Sequence, residues 1–412
     1  MLLALVLVGA VVAGVVVIEG RANRLALPPA RVKHRVTTTT VAPTPPPPVV
    51  TALAPFTLPV PIGQPVVLAG GPSALLVVGG APPTGAPAKG AFLVSTSGSG
   101  LHLAATLVTG VSDASGVLLG GRDLVFGGAA PGATAAVQAW SASRPSKAAQ
   151  AAVATTTGAL PATRAGSGAA EVHGSAYVVG GWDGAQPDGQ VVATANGSSF
   201  TVAGLLAVPV RNPAVAAVGG KVYVFGGDAL TRPAPANPRS GRAARAGAGR
   251  ARAVRHPTRG TAPVTTTVPA PAARWLPVDD IQVFDPATGR SAVVGHLPTA
   301  VQGAVAVNLG GHIYVAGGNG PAGTNAAVWG FEQSVGRVVQ EGALPTGVSG
   351  AGAAVIGDQA WLVGGRAADG KLIGSLQTVR ARPGASAAAR PTSAIPRATP
   401  STTGPARAKR AG

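Results

Sequence analysis

Short apolar runs of about five residues, separated by glycine, proline, aspartate and asparagine, alternate along residues 50–380. Runs of that length between turn-forming clusters predict many short antiparallel strands rather than helices. The clearest run, Lys221 to Asp228, reads Lys-Val-Tyr-Val-Phe-Gly-Gly-Asp. It returns with variations at Leu75 to Gly80, Asp123 to Gly128, Ala176 to Gly181, His312 to Gly318 and Ala360 to Gly365. The first glycines of the six pairs, Gly79, Gly127, Gly180, Gly226, Gly317 and Gly364, stand 48, 53, 46, 91 and 47 residues apart. Removing the 46 residues from Ala229 to Arg274, which carry no strand pattern, reduces the long interval to 45. One period therefore runs throughout, and a period of this size with several strands per unit predicts a propeller or a solenoid.

Register within the units narrows the choice. Three residues before each glycine pair stand Leu76, Leu124, Tyr177, Tyr223, Tyr314 and Trp361, so all three tyrosines share one position. Gly174, Gly220 and Gly311 mark a tight turn ahead of that strand, and an apolar strand precedes the turn (Ala214 to Val218, Ala304 to Val307, Ala353 to Ile356). A third strand follows the glycines (Ile281 to Phe284, Ala326 to Phe331), and a fourth often ends in Leu-Pro, at Leu160-Pro161, Leu297-Pro298 and Leu344-Pro345. Each unit is then a four-stranded blade, in which glycine permits close approach near the axis and the aromatic supplies apolar area. After Gly365 only one further strand remains, near Leu372 to Val379. The sixth blade therefore lacks its fourth strand, and Thr51 to Pro59 is expected to supply it and remove the open edge.

This succession of strand, turn, strand ending in Gly-Gly, third strand ending near Phe284-Asp285-Pro286, and Leu-Pro before the next unit resembles the kelch repeat. The resemblance covers residues 50–380. It departs from the family in lacking the fourth-strand tryptophan in most units, with Phe200 a partial substitute. No Gly-His and Trp-Asp pair recurs, which sets a WD-type propeller aside. The resemblance implies an all-β fold, a six-bladed kelch-like β-propeller, and leaves function open, because kelch propellers include scaffolds, receptors and enzymes. The copper radical oxidases among them need a tyrosine cross-linked to a cysteine. This chain has no cysteine, so that activity is excluded.

Met1 to Ile18 is an apolar run of about membrane-spanning length, expected to form an N-terminal transmembrane helix, with a cleaved signal peptide as the alternative. Arg21, Arg24, Arg31, Lys33 and Arg35 follow the run and no base precedes it, which on charge alone would keep the carboxyl side in the cytoplasm. Residues 19–49, ending in the Thr/Pro stretch Thr37 to Pro48, read as an extended stalk. A stalk after an anchor is typical of exported proteins, so the propeller is expected outside the cytoplasm despite the charge rule.

The net charge of +18 divides into +4 in residues 1–49, +9 in 229–274, +7 in 380–412 and −2 in the remainder. The repeated body is thus nearly neutral, and the basic segments 229–274 and 381–412 are expected to be a disordered insertion and tail. They lack aromatic platforms, which disfavours a nucleic-acid partner, whereas their charge suits anionic envelope polymers or lipid headgroups.

Candidate chemistry is sparse. His34, His102, His173, His256, His296 and His312 show no metal-ligand spacing, and Asp279-Asp280 reads as a solvated strand entry, so no cofactor, metal or catalytic constellation is expected. A binding face is better supported. Fifteen residues before the first glycines stand Gln64, Ser112, Ala165, Arg211, Gln302 and Ser349, with Arg164 one place away. After the pairs come Trp182, Asp183, Asp228, Asn319 and Arg366. Both sets are expected to ring one mouth of the axial channel, where arginines and a tryptophan could hold a carboxylate or a sugar. The expected function is a membrane-anchored, non-catalytic protein- or glycan-binding or scaffolding module of the cell envelope. One alternative is a carbohydrate-active enzyme such as a sugar mutarotase or epimerase, which would require a buried acid/base group in the channel. The other is an adaptor facing the cytoplasm.

Overall fold

The computed structural model describes residues 45–142, 150–231 and 273–382. The expected transmembrane helix, most of the stalk, the core of the basic insertion and the basic tail lie outside the described residues. Among the described residues there is no helix, and hence none long and apolar enough to cross a membrane.

The strands form six blades of four antiparallel strands, and Ala152–Val153 adds to the outer edge of the first in parallel with Leu101–Thr106. Blade 1 runs Val66–Gly71, Ala74–Val78, Gly90–Ser95 and Leu101–Thr106; blade 2 runs Ser115–Leu119, Arg122–Phe126, Ala136–Ser141 and Thr155–Ala159. Blade 3 comprises Gly168–Val172, Ser175–Val179, Gln190–Thr194 and Thr201–Leu205, and blade 4 comprises Ala214–Val218, Lys221–Phe225, Asp280–Asp285 and Arg290–His296. Blade 5 is built from Gln302–Leu309, His312–Gly320, Ala327–Glu332 and Arg337–Ala343. Blade 6 takes Gly352–Ile356, Gln359–Val363 and Ser375–Ala381 from the end of the domain and Val49–Thr57 from its beginning. The last two pair antiparallel from Val49 opposite Ala381 to Thr57 opposite Ser375, so the expected suture forms. The first strands of successive blades pack against one another in a closed ring around the axis.

Two circles of backbone hydrogen bonds hold this ring. In the outer one, the amide of each pair's second glycine donates to a carbonyl of the following blade. Gly80 donates to Val111, Gly128 to Arg164, Gly181 to Val210, Gly227 to Val301, Gly318 to Val348 and Gly365 to Ile62, at 2.7 to 2.8 Å. The first glycine explains why no side chain is present there. Gly226 has φ +57, and a Cβ on it would lie 2.3 Å from the Val301 carbonyl oxygen. In the inner circle, Gln64, Asp113, Gly166, Asn212, Gly303 and Gly350 each donate to the preceding member, and Gln64 closes the circle onto Gly350 at 2.7 Å. All six adopt the left-handed conformation, with φ between 50 and 70°.

The core lies between adjacent blades. Leu76, Leu124, Tyr314 and Trp361 of the shared aromatic position are buried, whereas Tyr177 and Tyr223 are half-buried. Tyr223 still packs on Phe225 and Phe331, with ring centroids 6.5 and 5.6 Å away. Blades 2, 4 and 6 each carry one buried glutamine on the third strand, Gln138, Gln282 or Gln377. Each amide accepts from and donates to one residue of the preceding loop, Thr109, Val208 or Thr346, at 2.8 to 3.0 Å.

Two expected boundaries move. The insertion does not begin at residue 229, because Asp228–Thr231 and Arg274–Pro277 pair as an additional antiparallel ribbon, with Leu230 opposite Trp275. The stalk does not extend to residue 49, because Pro46 is buried, the Pro47 carbonyl accepts the Tyr314 hydroxyl at 2.8 Å and the Pro48 carbonyl accepts the Arg382 amide. In both cases residues without strand periodicity are held by groups distant in the sequence.

Candidate functional site

Three consecutive residues enter each blade and perform three different tasks. The first packs between blades at the position of Ile62, Val111, Arg164, Val210, Val301 and Val348. The second bridges to the loop after the glycine pair: Gly63 to Ala81, Ser112 to Ala129, Ala165 to Trp182, Arg211 to Asp228, Gln302 to Asn319 and Ser349 to Arg366. The third belongs to the inner circle. In every blade the entry residue is therefore bridged to the loop after the glycines. Blade 1 is one residue out of step, because its first hairpin contains a register shift between Ala69 and Gly71. Gln64 consequently occupies the axial position, and Gly63 takes the bridging one.

The expected mouth residues separate into distinct groups. Gln64, Gln302, Asn319, Ser349 and Arg366 line a cleft of 400 Å³ between blades 5, 6 and 1. On the other side, Arg211 lies over the indole of Trp275 at 4.0 Å and faces Trp182 at 5.7 Å, while its Nε donates to Asp228 at 3.3 Å. Trp275 reaches this position through the ribbon that the insertion adds to blade 4, which the blade register does not contain. Burial pushes the Asp228 carboxyl up, and Arg211 opposes the shift. A half-buried guanidinium stacked on indole presents a rigid polar plane, and such contacts are worth about 0.5 to 2 kcal/mol.

Three further expected residues belong to neither group. Arg164 is fully buried. Its guanidinium donates to the Gly180 and Gln190 carbonyls at 3.2 and 2.9 Å and pairs with Asp188, so it cannot serve as a surface ligand. Burial pulls its pKa down and Asp188 offsets that pull. Ser112 is buried in its bridge. Asp183 is exposed, but its carboxylate caps its own turn by accepting the Ala185 and Gln186 amides at 2.8 Å, which holds its pKa below the usual range.

The axis contains two polar groups that the mouth register missed, Asp113 and Asn212. With Gln64 and Gln302 they line an axial cavity of 120 Å³. Gln64 Nε2 donates to Asp113 Oδ1 at 2.9 Å, and Asn212 Nδ2 donates to Gln302 Oε1 at 3.5 Å. Asn212 Oδ1 and Asp113 Oδ2 both lie over Gly166, where the missing side chain leaves room, and Asn212 Oδ1 is buried without a hydrogen-bond donor. Burial raises the Asp113 pKa to about 6, opposed by Arg211 and by the Gln64 hydrogen bond. A sequence signal for this circle exists one place beyond the mouth register. Asp113, Gly166, Asn212, Gly303 and Gly350 are all residue types that tolerate positive φ.

No protein-family model and no curated protein matches the chain by sequence. Among solved structures, one titled "Structure of YjhT" superposes with a TM-score of 0.56 at 14% identity, covering 78% of this chain and 95% of that one. At this level of identity the likeness concerns the fold alone, and together with the blade topology it makes the described chain a six-bladed β-propeller.

Proposed function

We propose that this kelch-like propeller is a non-catalytic binding module, anchored to the membrane through Met1 to Ile18 and displaying its mouth to a protein or glycan of the cell envelope. The observation that supports this reading most directly is the 400 Å³ cleft lined by Gln64, Gln302, Asn319, Ser349 and Arg366. Its amides, hydroxyl and guanidinium match the hydroxyls and carbonyls of a polar ligand, and the stacked Arg211 and Trp275 extend the same face. The basic segments add a salt-sensitive attraction to anionic polymers or lipids. The direct test is binding of the full-length protein to envelope fractions and a glycan panel, compared with Asn319→Ala/Arg366→Ala. Retention of ligand at wild-type level by that variant would overturn the cleft assignment. A topology reporter fused after Gly412 tests the anchored, outward-facing arrangement.

One feature favours the enzymatic alternative. Asp113, with a pKa raised to about 6, faces the axial cavity as an acid/base group must. Mutarotation or epimerisation of a sugar panel, followed by NMR and abolished by Asp113→Asn, would establish that reading. Absence of turnover across the panel would leave Asp113 a structural group of the axial circle.

A further inference from the structure

The structure assigns a divalent-metal site to Asp279, Asp280 and His296 at the base of the insertion ribbon, selective for a borderline transition ion of the zinc class. The three residues have no metal-binding spacing in sequence, but the blade brings them together. Asp280 and His296 are paired neighbours on the third and fourth strands, and the Asp279 carbonyl accepts the Leu297 amide at 2.7 Å. The backbone on both sides of the cluster is therefore fixed. The ligand atoms of all three side chains lie within 4.8 Å of one another.

The distances also fit ligands around one shared ion. His296 Nδ1 lies 3.4 Å from Asp279 Oδ1 and 3.5 Å from Asp280 Oδ1. Both separations lie within ion-pair reach. They match the edge of a tetrahedron, about 3.4 Å, expected between ligands each about 2.1 Å from a zinc ion. A ring nitrogen set between two carboxylate oxygens at nearly equal distances is an arrangement that a shared ion can complete. One imidazole with two carboxylates suits zinc, cobalt or nickel better than calcium or magnesium, which prefer all-oxygen shells. The exposure of the His296 ring and of half the Asp279 side chain leaves the fourth position to water or to a ligand from outside the cluster.

An ion here would tie the ribbon carrying Trp275 to the edge strand of blade 4, since Asp279 follows that ribbon by two residues. The proposal is independent of what the mouth binds. The test uses the untagged full-length chain, titrated with zinc by calorimetry and with cobalt by visible absorption. The expected result is one saturable site per chain, a tetrahedral cobalt spectrum, and at least about 100-fold weaker binding in His296→Gln and in Asp279→Asn/Asp280→Asn. Both variants must retain the wild-type far-UV spectrum, which their near-isosteric changes favour. Absence of saturable binding, or equal binding by the wild type and both variants, would overturn the assignment. In the second case the ion would sit at other histidines.

Discussion

Replacing Arg164 by alanine tests most directly how the structure divides buried from accessible groups. Its side chain is 0% exposed and that of Asp188 is 11% exposed, and Asp188 Oδ1 also accepts the Gln190 amide at 2.8 Å. Arg164→Ala leaves the Asp188 carboxylate without its cation, and the Gly180 and Gln190 carbonyls without a donor. Breaking a buried pair from one side costs about 3 to 5 kcal/mol, a large part of the 5 to 15 kcal/mol that typically holds a domain. The repeat also supplies the compensating change. Blade 4 has Val210 where blade 3 has Arg164, and Val278 where blade 3 has Asp188, because both Val278 and Asp188 donate their amides to the second glycine of the pair. Arg164→Val/Asp188→Val should therefore recover most of the loss, since well-packed apolar groups often replace a buried ion pair at no net cost. The assay is urea unfolding of the full chain followed by tryptophan fluorescence, read as a midpoint shift at constant slope. A midpoint for Arg164→Ala within about 0.5 kcal/mol of wild type, the range of ordinary surface changes, would refute the buried assignment and return Arg164 to the mouth.

Other perturbations act on separate parts of the architecture. Gly226→Ala meets the Val301 carbonyl at 2.3 Å, whereas Gly219→Ala has the same φ of +57 and open space around it. Thermal melts should show a loss of about 1 to 2 kcal/mol for Gly219→Ala and a larger one for Gly226→Ala; equal losses would remove the argument for inter-blade contact. Deleting Val49–Thr57 strips the partner from Ser375–Ala381 and should abolish a single cooperative melt, so an unchanged transition would refute closure by the amino-terminal strand. Asp113 yields a pH prediction. Its folded pKa of about 6 lies above the unfolded value near 3.8, so the folded state binds the proton more tightly and loses stability as pH rises from about 4 to 6. Asp113→Asn should match the wild type near pH 4 and exceed it at pH 7 by up to about 3 kcal/mol, and a wild-type advantage at pH 7 would contradict the shift. Gln282→Leu orphans the Val208 amide and carbonyl and should cost about 1 to 3 kcal/mol, measured by urea midpoint.

The repeated phrase by itself determined the strand class, the number of blades, the place of the glycine pairs and the need for an amino-terminal strand to close the ring. These properties follow from local turn chemistry and from counting, and Val49–Thr57 paired with Ser375–Ala381 needed nothing more. Position along an irregular loop is another matter, because adjacent residues point in unrelated directions. Arg164, Ala165 and Gly166 lie in succession, yet the first is sealed between blades, the second bridges a loop and the third belongs to the axial circle. Composition could not separate them, and a single bulge in blade 1 displaced Gln64 from its apparent equivalents. Only the tertiary structure decided which polar groups share a space. Asp113 meets Gln64 across 49 residues, Trp275 meets Arg211 across the insertion, and His296 meets Asp279 and Asp280 across a strand pair. The physical reason is that a repeat encodes the backbone that every blade shares. Its candidate sites are made of the side chains in which the blades differ, brought together by closure of the ring and by cross-strand pairing.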